Sequence, residues 1–259
     1  MIDTTGSTKT IVVITGASGG IGSAVARALA GPATEQILQY HSNRSAADET
    51  LAAITQSGSK GSLIQTDLGD DQACRALVDQ AWAQKGRVDC WIHAAGADVL
   101  TGPAASWSYE EKLRRLWEVD VLSTVNCCRW IGEMMAAGGG ARSSSIVTIG
   151  WDQADQGMEG MSGEVFATAK GAVAAFTRSL AQSLTPHVRV NCVSPGWIRT
   201  AWGASASADW QKRATQQSLA KRWGTPEDVA KTIAFLTSDN ASFINGQILH
   251  VNGGFCYYP

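Results

Sequence analysis

A short apolar run, IVVI at residues 11–14, gives way at Thr15 to the sequence TGASGGIG. Here Gly16, Gly20 and Gly22 stand in a G-x-x-x-G-x-G spacing. The segment that follows, IGSAVARALAG, has helical apolar periodicity. A strand that turns through glycines directly into a helix opens a βαβ unit, and few folds begin that way. Glycine lets the backbone approach a pyrophosphate closely, while the helix N-terminus offers unpaired N–H groups and the positive end of its dipole. A tight turn with no ligand would use the same residues. The position at the first strand-to-helix junction favours a dinucleotide site.

The rest of the chain repeats the strand-then-helix pattern. Strands are predicted at 10–15, 36–40, 62–67, 87–96, 144–150, 187–196 and 247–253, with helices including 70–85, 109–137, 164–184 and 226–238. Such alternation calls for a mostly parallel sheet covered on both faces, an α/β fold of the Rossmann-type doubly wound kind with three α/β/α layers. No repeat or low-complexity tract interrupts residues 1–259. We therefore expect a single domain, with a cofactor half over about 1–150 and a catalytic and substrate half over about 151–259.

Composition removes several function classes. Acidic side chains number 23 against 21 basic ones, with no run of like charge, so neither nucleic acid nor an anionic membrane is an expected partner. The start, MIDTTGSTKT, has no apolar core of a leader, and IVVI is far too short to span a bilayer, so a soluble, cytoplasmic protein is expected. The six cysteines form no CxxC and no metal spacing with the histidines. Cys90 and Cys192 fall inside strand-like runs, where a thiol packs as a small hydrophobe. No metal is expected.

About twenty residues beyond the glycines, an NAD site places an acid on the ribose hydroxyls. This chain has QYHSNRSAAD there, with no acid at the strand end and Arg44 just beyond. Arg44, with Ser42 and Asn43, is suited to a 2′-phosphate, because a guanidinium grips phosphate bidentately. That favours NADP(H) over NAD(H), although a solvated loop arginine would look the same.

On these features the chain resembles the classical short-chain dehydrogenase/reductases, over nearly its whole length. TGASGGIG matches the family's cofactor turn and implies contacts from Gly16, Ser18, Gly20, Ile21 and Gly22. TDL matches the segment that meets the adenine, with Asp67 and Leu68. HAAG matches the family's NAAG with His93 in place of asparagine, implying cofactor contacts at Ala94, Ala95 and Gly96. SPGWIRT matches the loop over the nicotinamide, implying Pro195, Gly196, Ile198 and Thr200. RWGTPEDVAKTIAFLTSDNASFINGQILHVNGG is closest to the 3-oxoacyl-ACP-reductase-like members.

The resemblance implies a catalytic Asn, Ser, Tyr and Lys. Only Lys170 is retained, and it would also meet the nicotinamide ribose. Phe166 stands at the tyrosine position, Trp151 at the serine position and Asp120 at the asparagine position, with the register of Trp151 shifted by a two-residue length difference. Phenylalanine donates no proton, and a positioned acid is worth about 10²–10⁴ in rate. Asp120 with Lys170 also resembles the peroxisomal 2,4-dienoyl-CoA reductases, where such a pair is thought to hold a protonating water. The simpler alternative is a drifted asparagine satisfied by helix hydrogen bonds. Asp152, Asp155, Glu159, Ser162 and Glu164 lie on the stretch that normally bears the serine, where such groups more often solvate a loop or favour a helix N-terminus.

Trp197, Trp202 and Trp210 fall in the segment that forms a mobile lid in the family. With Trp151 and Phe166 they suit a small-molecule substrate bearing an acyl chain or an aromatic ring, or ordinary packing. The long helices imply a homodimer or homotetramer on family grounds. Two functions remain open. One is an NADPH-dependent reductase of a carbonyl or conjugated enoyl or dienoyl substrate, using Asp120, Lys170 and a water. The other is a catalytically silent dinucleotide binder, acting as a sensor or partner subunit.

Overall fold

The computed structural model describes residues 9–138 and 144–255, so Cys256 lies outside the described residues. Seven parallel strands build one sheet: β1 (Thr10–Thr15), β2 (Thr34–Tyr40), β3 (Lys60–Gln65), β4 (Cys90–His93), β5 (Ser145–Ile149), β6 (Arg189–Pro195) and β7 (Ile248–Val251). Their order is β3-β2-β1-β4-β5-β6-β7. The chain winds outward from β1 in one direction and from β4 in the other. A crevice therefore opens between these two strands at their C-terminal ends, the place where such sheets bind ligands. The sheet is continuous through the pairing of Ser145 with Arg189, across the point where the sequence divides cofactor half from substrate half.

Alternation along the central strands feeds two apolar layers. Val13, Ile37, Trp91, Ile146 and Val190 meet α3 (Asp71–Lys85), α5 (Ser123–Ala137) and α7 (Met161–Leu184). Val12, Ile14, Leu38, Ile92 and Val147 meet α1 (Gly20–Ala28), α2 (Arg44–Gln56) and α10 (Pro226–Thr237) on the other face. The result is the three-layer arrangement expected from the sequence. Cys90 and Cys192 are buried in β4 and β6, and burial pushes the Cys90 thiol up to about 11.

Two expectations are corrected. The strand expected over 87–96 ends at His93, because Ala94–Asp98 turns aside to line a cavity. The single helix expected over 109–137 comprises α4 (Tyr109–Leu116), a π-helical turn over Trp117–Leu122, and α5. The segment after the PG turn folds into two short helices, α8 (Ala201–Ser205) and α9 (Ala208–Gln217), preceded in the chain by α6 (Gln153–Gln156).

One buried amide fixes the glycine turn. Gln39, at the end of β2, accepts from Gly16 N at 2.9 Å and donates to Thr66 O at 2.8 Å. Gln39→Ala leaves both groups without partners, at a cost of about 2 kcal/mol. For a chain of this size the expected outcome in a thermal melt is a drop of roughly 4–8 °C. An unchanged melting temperature would show that the turn holds itself.

Candidate active site

Two cavities meet at the C-terminal edge of the sheet. The first, of about 380 Å³, is lined by Gly16, Ser18, Ser42, Asn43, Asp67, Leu68, Ala94, Ala95 and Gly96. Its floor is the glycine turn. Gly16 has φ +68°, and a Cβ there would lie 2.7 Å from Ala95 Cα. A Cβ on Gly22 would lie 2.2 Å from Gly16 O, so neither position admits a side chain without backbone movement. Helix α1 starts with no side-chain cap, leaving its first N–H groups for a ligand. An uncapped helix end beside a glycine cradle fits the diphosphate of a dinucleotide.

Several cavity residues carried no signal in the sequence. His41, Trp107 and Arg115 line the same cavity. Asp67 accepts from Gly69 N, which holds its carboxyl below the usual carboxylate range, with Arg115 3.5 Å away adding to the effect. Arg44 departs from expectation. It is the first residue of α2, and its Nε pairs with Asp48 one helical turn on at 2.9 Å, so the guanidinium lies over the Tyr40 ring rather than in the cavity.

The second cavity, of about 460 Å³, is lined by Ile21, Lys170, Pro195, Gly196, Ile198 and Thr200 together with Trp151, Phe166, Trp197, Trp202 and Trp210. Gly20 stands in the chain between Gly19, which lines the first cavity, and Ile21, which lines the second, and a Cβ on it would lie 3.3 Å from the Thr200 side chain. Trp151 and Phe166 meet edge to face with ring centroids 6.2 Å apart. Trp197 lies 5.4 Å from Trp210 and 6.2 Å from Trp202, and Trp223 joins the same cluster. Aromatic surfaces therefore form much of the wall of this cavity.

Beneath this wall lies a buried ion pair. Lys170 Nζ is 2.8 Å from Asp120 Oδ1, with the side chains 12% and 2% exposed. Asp120 Oδ2 accepts from Ala97 N at 2.8 Å, and Lys170 Nζ also donates to Ile149 O at 3.2 Å. Asp120 sits on the π turn, whose extra residue bulges the carboxylate toward β4 and α7. Behind it, His93 is buried against Trp91 and Ser123, its Nε2 3.0 Å from Ser123 Oγ. Burial, with the Lys170 charge, pulls the His93 pKa down to about 3, so the ring stays neutral.

The loop groups separate clearly. Ser162 lines the cleft. Asp155 pairs with His250 at 3.1 Å, Glu159 grips Arg213 with two bonds of 2.7 and 3.0 Å, and Glu164 is exposed in the first turn of α7. Asp152 is buried behind Gly196. Its Oδ2 accepts from Asn252 at 3.0 Å, while Oδ1 has no partner.

Residues 16–256 match the family model described as enoyl-(acyl carrier protein) reductase. A 3β-hydroxysteroid dehydrogenase of Eggerthella lenta is 32% identical, over 96% of this chain and 94% of that protein. A cis-4-hydroxycyclohexanecarboxylate dehydrogenase of Sinomonas cyclohexanicum is 33% identical, over 95% and 96%. Among solved structures, a short-chain dehydrogenase from Burkholderia cenocepacia in complex with NADP superposes with a TM-score of 0.85 at 26% identity, covering 96% of this chain and 98% of that one. The fold and cleft define a nucleotide-dependent oxidoreductase. The chain belongs to the short-chain dehydrogenase/reductase family.

Burial raises the Asp152 pKa to about 6 from 3.8, so the native state holds its proton more tightly than the unfolded chain. Stability is therefore greatest below the unfolded value and is lost as pH rises through about 6, by about 3 kcal/mol in total. Asp152→Asn removes that loss and can keep the bond from Asn252. In thermal melts the variant is expected to exceed the parent at pH 7.5, with the gap closing near pH 4. A variant no more stable at pH 7.5 would mean that the carboxylate is solvated.

Proposed function

We propose that the chain is a reductase using NADP(H), acting on a conjugated double bond of an apolar acyl or aryl substrate, without a phenolic acid. The observation that carries this reading is the buried Asp120–Lys170 pair on the floor of an aromatic cleft next to the glycine cradle. A lysine ammonium has three N–H donors. One meets Asp120 and another Ile149 O, which leaves the third for the cleft. Asp120 accepts from Lys170 with one oxygen and from Ala97 N with the other, so it holds and neutralises the lysine.

Bound NADPH supplies the hydride. Lys170 steadies the cofactor ribose or hydrogen-bonds a water, and that water, polarised by the ammonium, gives the proton. Reduction of a conjugated C=C puts the developing negative charge on a carbonyl oxygen remote from Phe166. The missing hydroxyl is therefore no obstacle. The family match to enoyl reductases supports this choice. Trp151 packed on Phe166 supports the second reading, a silent dinucleotide binder, because it fills the space of both hydroxyls.

Asp120→Asn is the direct test. With an enoyl thioester and NADPH, kcat is expected to fall on the order of 100-fold, the scale of a lost proton-transfer contribution. Full activity in the variant would remove Asp120 from the mechanism. A parent protein that binds NADPH but reduces no enoyl or carbonyl substrate would establish the silent binder.

For the cofactor, we propose that His41, Ser42 and Asn43 take the 2′-phosphate, since they line the cavity and Arg44 is held by Asp48. His41→Ala is expected to weaken NADPH binding about tenfold and leave NADH unchanged, with Arg44→Ala altering neither. Equal loss for both cofactors in His41→Ala would place the 2′-phosphate elsewhere. We also propose association through the α4–α5 and α7 face, where Trp117, Leu122 and Met161 are exposed.

A further inference from the structure

Among the described residues the cleft carries no phenol, imidazole or carboxyl group, and it is walled by aromatic faces. Trp151, Phe166, Trp197, Trp202 and Trp210 line it, and Trp197 approaches Trp210 and Trp202 to 5.4 and 6.2 Å between ring centroids. Indole faces are the strongest side-chain partners for a cation held within about 6 Å, and cages of such faces recognise quaternary ammonium groups.

The charges around the cleft leave it open to a cation. Lys170 is the only ionisable side chain among the described residues lining it, and its charge is matched by Asp120 at 2.8 Å. Arg213 stacks on Trp210 at 5.2 Å from the ring centroid and is held by both oxygens of Glu159. Both of these positive groups thus carry their own carboxylate. An incoming cation meets π faces and neutral pairs.

We propose that this cleft binds and reduces planar iminium ions, a C=N⁺ acceptor class. The inference rests on the reductase reading above but not on its enoyl substrate. An iminium carbon accepts a hydride from the dihydronicotinamide of NADPH and forms a C–H bond. The π pair of C=N becomes the nitrogen lone pair, and the products are a neutral amine and oxidised cofactor. No proton moves and no oxyanion forms. That is the chemistry compatible with Phe166 at the tyrosine position and Trp151 at the serine position. For a ketone the same two residues leave the oxygen without a donor. For an iminium they add binding surface.

The test is a binding comparison that needs neither cofactor nor turnover. An N-methyl dihydroisoquinolinium ion and the uncharged methyl-dihydronaphthalene of the same shape are titrated against the protein by calorimetry. The cation is expected to bind at least about tenfold more tightly, the scale of a desolvated cation–π contact. In Trp210→Leu, with its fold verified by circular dichroism, that preference is expected to fall below threefold. Equal affinity for the two compounds in the parent protein, or no binding of the cation, overturns the proposal whether or not enoyl reduction is observed. If the cation binds preferentially, NADPH oxidation in its presence should proceed at a rate flat between pH 6 and 8. Preferential binding without NADPH oxidation overturns the catalytic half and leaves a cation site.

Discussion

Four separate pieces of backbone are held in register by one buried ion pair. Asp120 reaches from the π turn to Lys170 on α7 with one oxygen and to Ala97, at the exit of β4, with the other; Lys170 reaches on to Ile149 at the end of β5. Removing two charges from water costs several kcal/mol each, and their attraction repays this only when the remaining donors and acceptors are also met. Here a backbone N–H meets the second Asp120 oxygen and a backbone carbonyl takes a second N–H of Lys170. The extra residue of the π turn is what lets the carboxylate reach inward. Hydroxyls just after it, on Ser123 and Thr124, donate back to the carbonyls of Val119 and Asp120 that the irregular turn would otherwise leave open. His93 supports Ser123 from β4 and, being neutral, adds no charge to compete with Lys170.

Chemistry in the cleft follows from what stands above this pair. With the Phe166 and Trp151 rings packed edge to face, the site keeps the Lys170 cation beside an aromatic wall. Low polarity strengthens the field of Lys170 at any bound acceptor, because little water intervenes to screen it. The arrangement favours acceptors whose developing charge lies away from the aromatic wall or is absent altogether. A ketone meets neither condition.

How much of this was legible in the sequence depended on locality. The parallel sheet could be read from alternating apolar runs, and the cradle from Gly16, Gly20 and Gly22, because both are local patterns. Most residues assigned to the cofactor by resemblance do line the two cavities. Arg44 lies outside the cavity lining because the helix that begins at that residue puts Asp48 within reach, and a paired arginine looks identical to a free one until that helix is seen. Gln39 had no signal at all, since its role depends on Gly16 and Thr66 from two other segments. The same is true of Arg115, whose partner Asp67 is far away in sequence. Asp152 and Asp155 look alike in the chain, yet one is buried with an unmet oxygen and the other is paired with His250 near the surface. Long-range burial separates them, and no spacing rule reports it.

The lid raises a constraint on where any proton comes from. Trp197, Trp202, Trp210 and Trp223 form one aromatic block. Trp197 is tied to α9 through its Nε1 bond to Gln217 at 2.9 Å, and Trp223 packs so closely on Gly203 that a Cβ there would lie 2.7 Å from its ring. Glu159 and Arg213 join this block to the loop before α7, so both walls of the cleft move as one piece or separate by breaking a two-bond pair. A closed aromatic lid keeps water from the reacting carbon, which helps hydride transfer but starves a water-borne proton route. Lys170, at the inner end beside Ile149, is the one charged foothold among the described lining residues left for a solvent molecule once the wall is shut. The more completely the tryptophans exclude water, the more the site depends on that foothold or on an acceptor that needs no proton. That trade-off ties the aromatic wall and Lys170 together as parts of one cleft.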